Sequence, residues 1–119
     1  MFGIFKKKND NRPEENYSQA VILEVPLDSG QDLGSNEEHE AIFTLEDKLS
    51  TLINKSEVVD GHDFGEGTAI VYLYGPSADV LFDKVKDALK RSAFSRFEVT
   101  LRYGPAEDKD SEEKRFTLS

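Results

Sequence analysis

The sequence lacks cysteine altogether, and its 15 lysines and arginines are outnumbered by 24 aspartates and glutamates. Without cysteine the chain cannot form disulfides, use a thiol nucleophile or bind a metal through thiolates, and it suits a reducing cytosol. The net charge of −9 argues against a nucleic-acid partner, because proteins that bind nucleic acids usually present a basic face to the phosphates. We therefore expect a cytoplasmic location and no contact with nucleic acid.

The sequence also lacks an apolar run long enough to cross a membrane, so no integral membrane segment is expected. Residues 1–8 place phenylalanines beside lysines, but their apolar part is too short for a signal peptide and the lysines follow it. We interpret residues 1–18 as a flexible lead. A weak peripheral contact with an anionic membrane surface is the alternative for this lead; its residues are Phe2, Phe5, Lys6, Lys7 and Lys8.

A chain of 119 residues is long enough to bury its own core, and residues 19–119 are predicted to form a single α+β domain. Residues 69–73 are a continuous apolar run that Gly75-Pro76 ends, which is typical of a strand inside a sheet. Ser77 then has the position of a helix N-cap. The residues that recur at helical spacing after it predict a buried helix face: Ala78, Leu81, Phe82, Val85 and Leu89.

Five other segments carry patterns of the same kind. Residues 20–25 predict a first strand, and Ser35 with Glu38 matches the capping box of a helix that we expect to end near Lys55. Residues 57–59 predict a short second strand, which residues 60–67 either extend or turn into the third strand. Residues 97–103 alternate as a half-buried strand, and residues 115–118 can add a fifth strand at an edge.

The resulting order, β-α-β-β-α-β, is typical of a ferredoxin-like sandwich, in which an antiparallel sheet carries both helices on one face. Right-handed crossovers place strands one and three side by side in the centre of such a sheet. The alternative fold is a smaller α+β sandwich in which strand one pairs elsewhere.

The loop of residues 60–67 concentrates side chains of catalytic type, Asp60, His62, Asp63 and Glu66. Such groups can act as acid and base or bind a divalent metal, but the spacing fails the EF-hand pattern. The competing interpretation is structural, because Gly61, Gly65 and Gly67 suit the positive φ angles of a hairpin or bulge. We expect no metal and no cofactor here.

An aromatic surface is the second candidate site. Ferredoxin-like domains often leave one sheet face uncovered by helices, and tyrosines with a neighbouring arginine on that face suit protein binding or dimerisation. The candidate binding residues are Phe64, Tyr72, Tyr74, Arg102 and Tyr103.

Several short stretches between residues 35 and 105 resemble a group of small bacterial cytosolic proteins that has no assigned activity. The stretches are Asp60-Gly61, Phe64-Gly65-Glu66-Gly67, Leu73-Tyr74-Gly75-Pro76, Ala78-Asp79, Leu81-Phe82 and Arg102-Tyr103-Gly104-Pro105. The resemblance implies a bacterial, cytosolic, single-domain protein, and it implies no site residues.

The function that these patterns favour is a binding or regulatory module that acts by protein–protein contact, with itself as a homodimer or with another protein. Its surface would be the open sheet face or an edge strand. One alternative is a small metal-assisted or acid–base enzyme that uses His62 with Asp60, Asp63 or Glu66. Another is an acidic immunity or inhibitor protein, whose binding to a basic target would weaken steeply with salt.

Overall fold

A computed structural model of the chain describes residues 18–119. The predictions made for residues 1–17, a flexible lead and a peripheral membrane contact, lie outside the described residues. Within residues 18–119, no helix has the length and apolar character needed to cross a membrane. The elements in chain order are β1 Gln19–Pro26, α1 Asn36–Ser50, β2 Val58–Gly65, β3 Thr68–Gly75, α2 Ala78–Lys90, β4 Phe97–Arg102 and β5 Glu113–Leu118.

The fold is α+β, with two helices and a five-stranded sheet in the order β2-β3-β1-β4-β5. All four neighbouring pairs are antiparallel. The first strand lies in the centre, where Val21 faces Leu73 on one side and Leu101 on the other. This pairing confirms that strands one and three are neighbours, and β5 confirms the fifth strand at an edge.

One face of the sheet packs against both helices. Because side chains alternate along a strand, Val21, Leu23 and Val25 of β1 point to this face together with alternate residues of β3 and β4. The helices fill it with residues at helical spacing. The fully buried helix residues are Ile42 and Leu49 of α1, and Ala78, Leu81, Val85 and Leu89 of α2.

Both predicted helix N-caps are confirmed. The Ser35 hydroxyl accepts a hydrogen bond from the Glu38 backbone N–H, and the Glu38 carboxylate accepts one from the Ser35 N–H. Ser77 caps α2 through the N–H of Val80. The predicted end of α1 near Lys55 is wrong, because the helix ends at Ser50. A turn follows, in which the Asn54 side chain accepts from the Ser56 N–H and competes with the helical hydrogen bonds.

The Glu38 carboxylate predicts a specific dependence of stability on pH. Hydrogen bonds from the Ser29 hydroxyl, and then from the Ser35 backbone, lower the pKa of Glu38 from 4.5 to about 2. A carboxyl group whose pKa falls on folding stabilises the native state above its unfolded pKa, and this contribution is lost as the pH falls through the folded pKa. We expect Glu38→Gln to be less stable than the wild type at pH 7, with the gap closing between pH 4.5 and about 2. Urea unfolding at a series of pH values measures this gap, and a gap that does not change with pH would contradict the assignment.

The segment of residues 60–67 extends β2 and then closes a hairpin. A bulge lies between Val59 and Gly61, which has φ 141°, and the pairing then runs on to Gly65 and Thr68. The two loop residues, Glu66 with φ 55° and Gly67 with φ 75°, both adopt the positive angles that a type I′ turn requires. The structural interpretation is therefore confirmed for Gly61 at the bulge and for Gly67 in the turn, but it is wrong for Gly65, which pairs with Thr68 as a strand residue without a positive φ.

Candidate protein-binding face

The face of the sheet opposite the helices carries the side chains that do not enter the core. Alternation along the strands and the pairing register define its members. We call this surface the open face. Its residues are Val58, Gly61 and Asp63 of β2, Ile70, Tyr72 and Tyr74 of β3, Ala20, Ile22 and Glu24 of β1, Glu98, Thr100 and Arg102 of β4, and Glu113, Arg115 and Thr117 of β5.

The middle of the open face is apolar and aromatic. Tyr72 lies beside Ile22 on the neighbouring strand, and Tyr74 lies beside Ala20. Tyr72, Tyr74, Ile22 and Ile70 are half-buried, so each of these side chains keeps part of its surface available. Burial, and then the hydrogen bond from its hydroxyl to Asp63, raises the pKa of Tyr72. Burial and the nearby Asp60 charge likewise raise the pKa of Tyr74, so both phenols are uncharged hydrogen-bond donors at neutral pH.

A cation lies at one end of this apolar centre. The Arg102 guanidinium is 5.9 Å from the centroid of the Tyr74 ring, within the range of a cation–π contact. Its Nε donates to the Gly104 carbonyl at 2.7 Å, which fixes the guanidinium over the ring. Arginine has five N–H donors, so Arg102 has donors left for a carboxylate that approaches the open face.

Carboxylates lie at the other end. Glu24 and Glu98 are directly opposite each other on β1 and β4, an arrangement in which like charges repel. The Glu98 carboxylate accepts from Arg96 and Thr117, and these hydrogen bonds lower its pKa. Ion pairs within residues 18–119 leave the half-buried Glu24 without a cation. The acidic end therefore has one carboxylate that can accept a cation from outside.

The two edges of the sheet are poor sites for adding a strand. The β2 edge is interrupted by its bulge, and bulges and charges are devices that discourage edge pairing. The β5 edge carries exposed charged side chains at Glu113, Lys114 and Arg115. Of the two surfaces considered from the sequence, the open face is thus better suited to contact than an edge strand.

Two of the predicted binding residues are not on the open face. The Tyr103 hydroxyl donates to Asp79 in the first turn of α2 at 2.7 Å, and its ring packs against the core on the helix side. Phe64 pairs with Ala69, whose side chain is in the core, and its ring stacks on His39 of α1 at 4.1 Å. Tyr72, Tyr74 and Arg102 are the three predicted binding residues that the structure brings together.

The loop residues proposed as acid and base are dispersed. His62 points to the helix side, where its Nδ1 is 2.9 Å from Glu46 of α1. Asp63 points to the open face, Asp60 lies at the bulge and Glu66 lies in the hairpin turn. Across residues 18–119, no three histidine, aspartate or glutamate side chains are arranged to hold a metal ion.

Sequence reasoning missed the surroundings of His62. Its ring lies 5.2 Å from that of Phe43 and 5.3 Å from that of Phe64, and His39 completes the group. The helix and the strand that supply these rings meet only in the fold, so the linear sequence carried no local pattern for the cluster. Its rings and the His62–Glu46 pair hold α1 against the β2 edge of the sheet.

Comparisons with protein-family models, curated proteins and solved structures found no match to this chain. The resemblance to small bacterial cytosolic proteins stays a prediction.

Proposed function

We propose that this protein is a non-enzymatic binding module that acts by protein–protein contact through the open face of its sheet. One observation carries the proposal: a row of half-buried aromatic and aliphatic side chains, with Tyr72 beside Ile22 at its centre, lies on the face that neither helix of residues 18–119 covers. An apolar centre with aromatic anchors and a charged rim is the usual anatomy of a protein interface.

The charged rim supports the same proposal. Glu24 and Glu98 border the centre at one end, and Arg102 borders it at the other. Rim charges contribute little affinity, but they select the partner and its orientation. The open face therefore has parts suited both to affinity and to specificity.

The test compares two alanine variants of the tagged full-length chain in capture from its native cell extract, read by mass spectrometry. Tyr72→Ala removes an aromatic anchor from the open face, whereas Phe43→Ala removes one that is 47% exposed on the helix side. We expect wild type and Phe43→Ala to retain the same stoichiometric protein, either a second copy or another chain. Tyr72→Ala is expected to bind it at least about tenfold more weakly, since anchor residues contribute about 2 kcal/mol or more.

The proposal would fail if the wild type captured nothing and did not self-associate. It would also fail if both variants lost the partner equally, because the contact would then not involve the open face. Circular dichroism and urea unfolding of both variants establish that lost binding is not lost folding.

For the fold we propose that β1 to β4 with α1 and α2 form a ferredoxin-like sandwich to which β5 adds an edge strand. The central pairing of β1 with β3 and β4, and the single core shared by both helices, support this description. An experimental structure whose helices lay on opposite faces of the sheet would contradict it.

A further inference from the structure

We propose that the partner of the open face is a second copy of this chain, bound face to face about a two-fold axis. This inference rests on the proposed function and adds the identity of the molecule that binds the open face. It follows from how charge is distributed along the strands, because an isologous interface requires a surface that is complementary to itself.

The open face is electrostatically polar along the strand direction. On β4, Arg102 lies at one end and Glu98 lies four residues away on the same face, a separation of about 13 Å. Glu24 lies beside Glu98 on β1, and Asp63 of β2 is at the same end. Arg96 pairs with Glu98, and Glu113 lies beside Arg102 on β5. The end that holds Glu24 is therefore the more acidic one, and Arg102 is the cation of the other end. A uniformly basic or uniformly acidic partner would meet a like charge at one of the two ends.

A second copy avoids that conflict. A two-fold axis in the interface plane, perpendicular to the strands and passing near Ile22, reverses the strand direction of the second sheet. The Arg102 end of each copy then lies over the Glu24–Glu98 end of the other, and the contact occurs twice. The same rotation places Tyr74 against Ile70 of the other copy, while Tyr72 and Ile22 meet their own counterparts near the axis.

The dimensions of the face suit such a dimer. Five strands spaced about 4.8 Å apart give a width of about 24 Å, and eight residues of strand give a length of about 26 Å. The projected area is therefore about 600 Å² per copy. Side chains make the accessible area larger than the projected one, which brings it near the roughly 800 Å² per partner of a standard interface.

The experiment uses two full-length charge variants, Arg102→Glu and Glu24→Arg, separately and mixed. In Arg102→Glu alone, both symmetric contacts join like charges. In Glu24→Arg alone, each contact brings Arg102 to a second guanidinium, with Glu98 as the one carboxylate left beside it. A mixed dimer contains one Arg102→Glu copy and one Glu24→Arg copy. One of its two contacts pairs the new carboxylate of the first copy with the new guanidinium of the second. The other contact pairs Arg102 with Glu24, as in the wild type. We expect a wild-type dimer, at least tenfold weaker dimers for each variant alone, and a restored mixed dimer. Analytical ultracentrifugation measures the dissociation constants, and native mass spectrometry identifies the mixed species.

Unfolding by urea establishes that each variant is folded. Glu24→Arg is expected to fold well, because its new guanidinium lies beside Glu98. A wild type that stays monomeric, a dimer that is insensitive to either variant, or an equimolar mixture that does not pair would each overturn the inference.

The outcomes separate this inference from the proposed function. A monomeric wild type that captures a different protein in a Tyr72-dependent way would overturn the second copy and leave the binding module standing. A monomer in which Tyr72 is protected from hydroxyl-radical labelling would assign the face to another segment of the same chain, which also overturns the dimer. A monomer that captures no protein and in which Tyr72 is fully labelled would contradict both the dimer and the binding module.

Discussion

Val85→Asp is expected to destabilise the protein by about 4 kcal/mol or more, a large share of the ~5–15 kcal/mol that holds a typical domain together. Val85 is fully buried in the face of α2 that packs on the sheet. The substitution removes about 1.5–3 kcal/mol of apolar burial and places a carboxylate among the apolar side chains of the core. Urea unfolding followed by circular dichroism measures the loss.

Val80→Asp is the matched control, because the same change is made on the same helix at a residue that is 51% exposed. We expect it to change stability by about 0.5 kcal/mol or less. Equal losses for the two variants would show that α2 does not dock through the face that contains Val85.

Lys84→Met is expected to cost about 2–3 kcal/mol, since it leaves a buried carboxylate without its cation. The Glu57 side chain is 3% exposed, and its two oxygens accept from the Lys84 ammonium at 2.8 and 3.0 Å. One of these oxygens also accepts from the Asn54 N–H, so one hydrogen bond survives the substitution. The cost is below that of a fully buried pair because Lys84 itself is 30% exposed.

Lys86→Met provides the control for that prediction. Lys86 is on the same helix and pairs with Asp83, but both partners are exposed, and such pairs contribute about 0–1 kcal/mol. In the double variant Glu57→Leu with Lys84→Met, much of the loss should be recovered, because no buried charge is left unpaired. Thermal or urea unfolding of the four proteins tests both statements, and a Lys84→Met variant as stable as Lys86→Met would contradict the first.

The features that could be predicted from sequence are those set by neighbouring residues. The Ser35–Glu38 capping box, the Ser77 cap and the glycines of the β2–β3 hairpin depend on side chains a few positions apart. Tyr72 and Tyr74 were predicted on one surface and do share a face, because β3 has no bulge to shift its parity.

The features that were predicted wrongly or missed depend on contacts between residues that are distant in sequence. Leu52 and Ile53 continue the helical spacing of α1, yet the chain leaves the helix before them and enters the turn that delivers Glu57 to Lys84. The pairing of His62 with Glu46 depends on where α1 docks, which no local pattern records. Tyr103 is a different case, because it follows Arg102 directly and adjacent residues at a strand end tend to point to opposite faces. Alternation alone could have separated these two residues.

The central position of β1 also fixes the order in which the chain can assemble as it leaves the ribosome. β1 is the first of the five strands in residues 18–119 to be synthesised. Its partners β3 and β4 emerge only after one helix and after both helices, respectively. The apolar segment of residues 20–25 is therefore without either neighbouring strand while α1 and β2 are being made. The β2–β3 hairpin, whose strands are joined by two residues, can close before the sheet has a centre. The centre of the sheet is complete only when β1 pairs with β3 and β4, which are far from it in sequence. Such long-range contacts make folding slow compared with that of a protein built from local pairs.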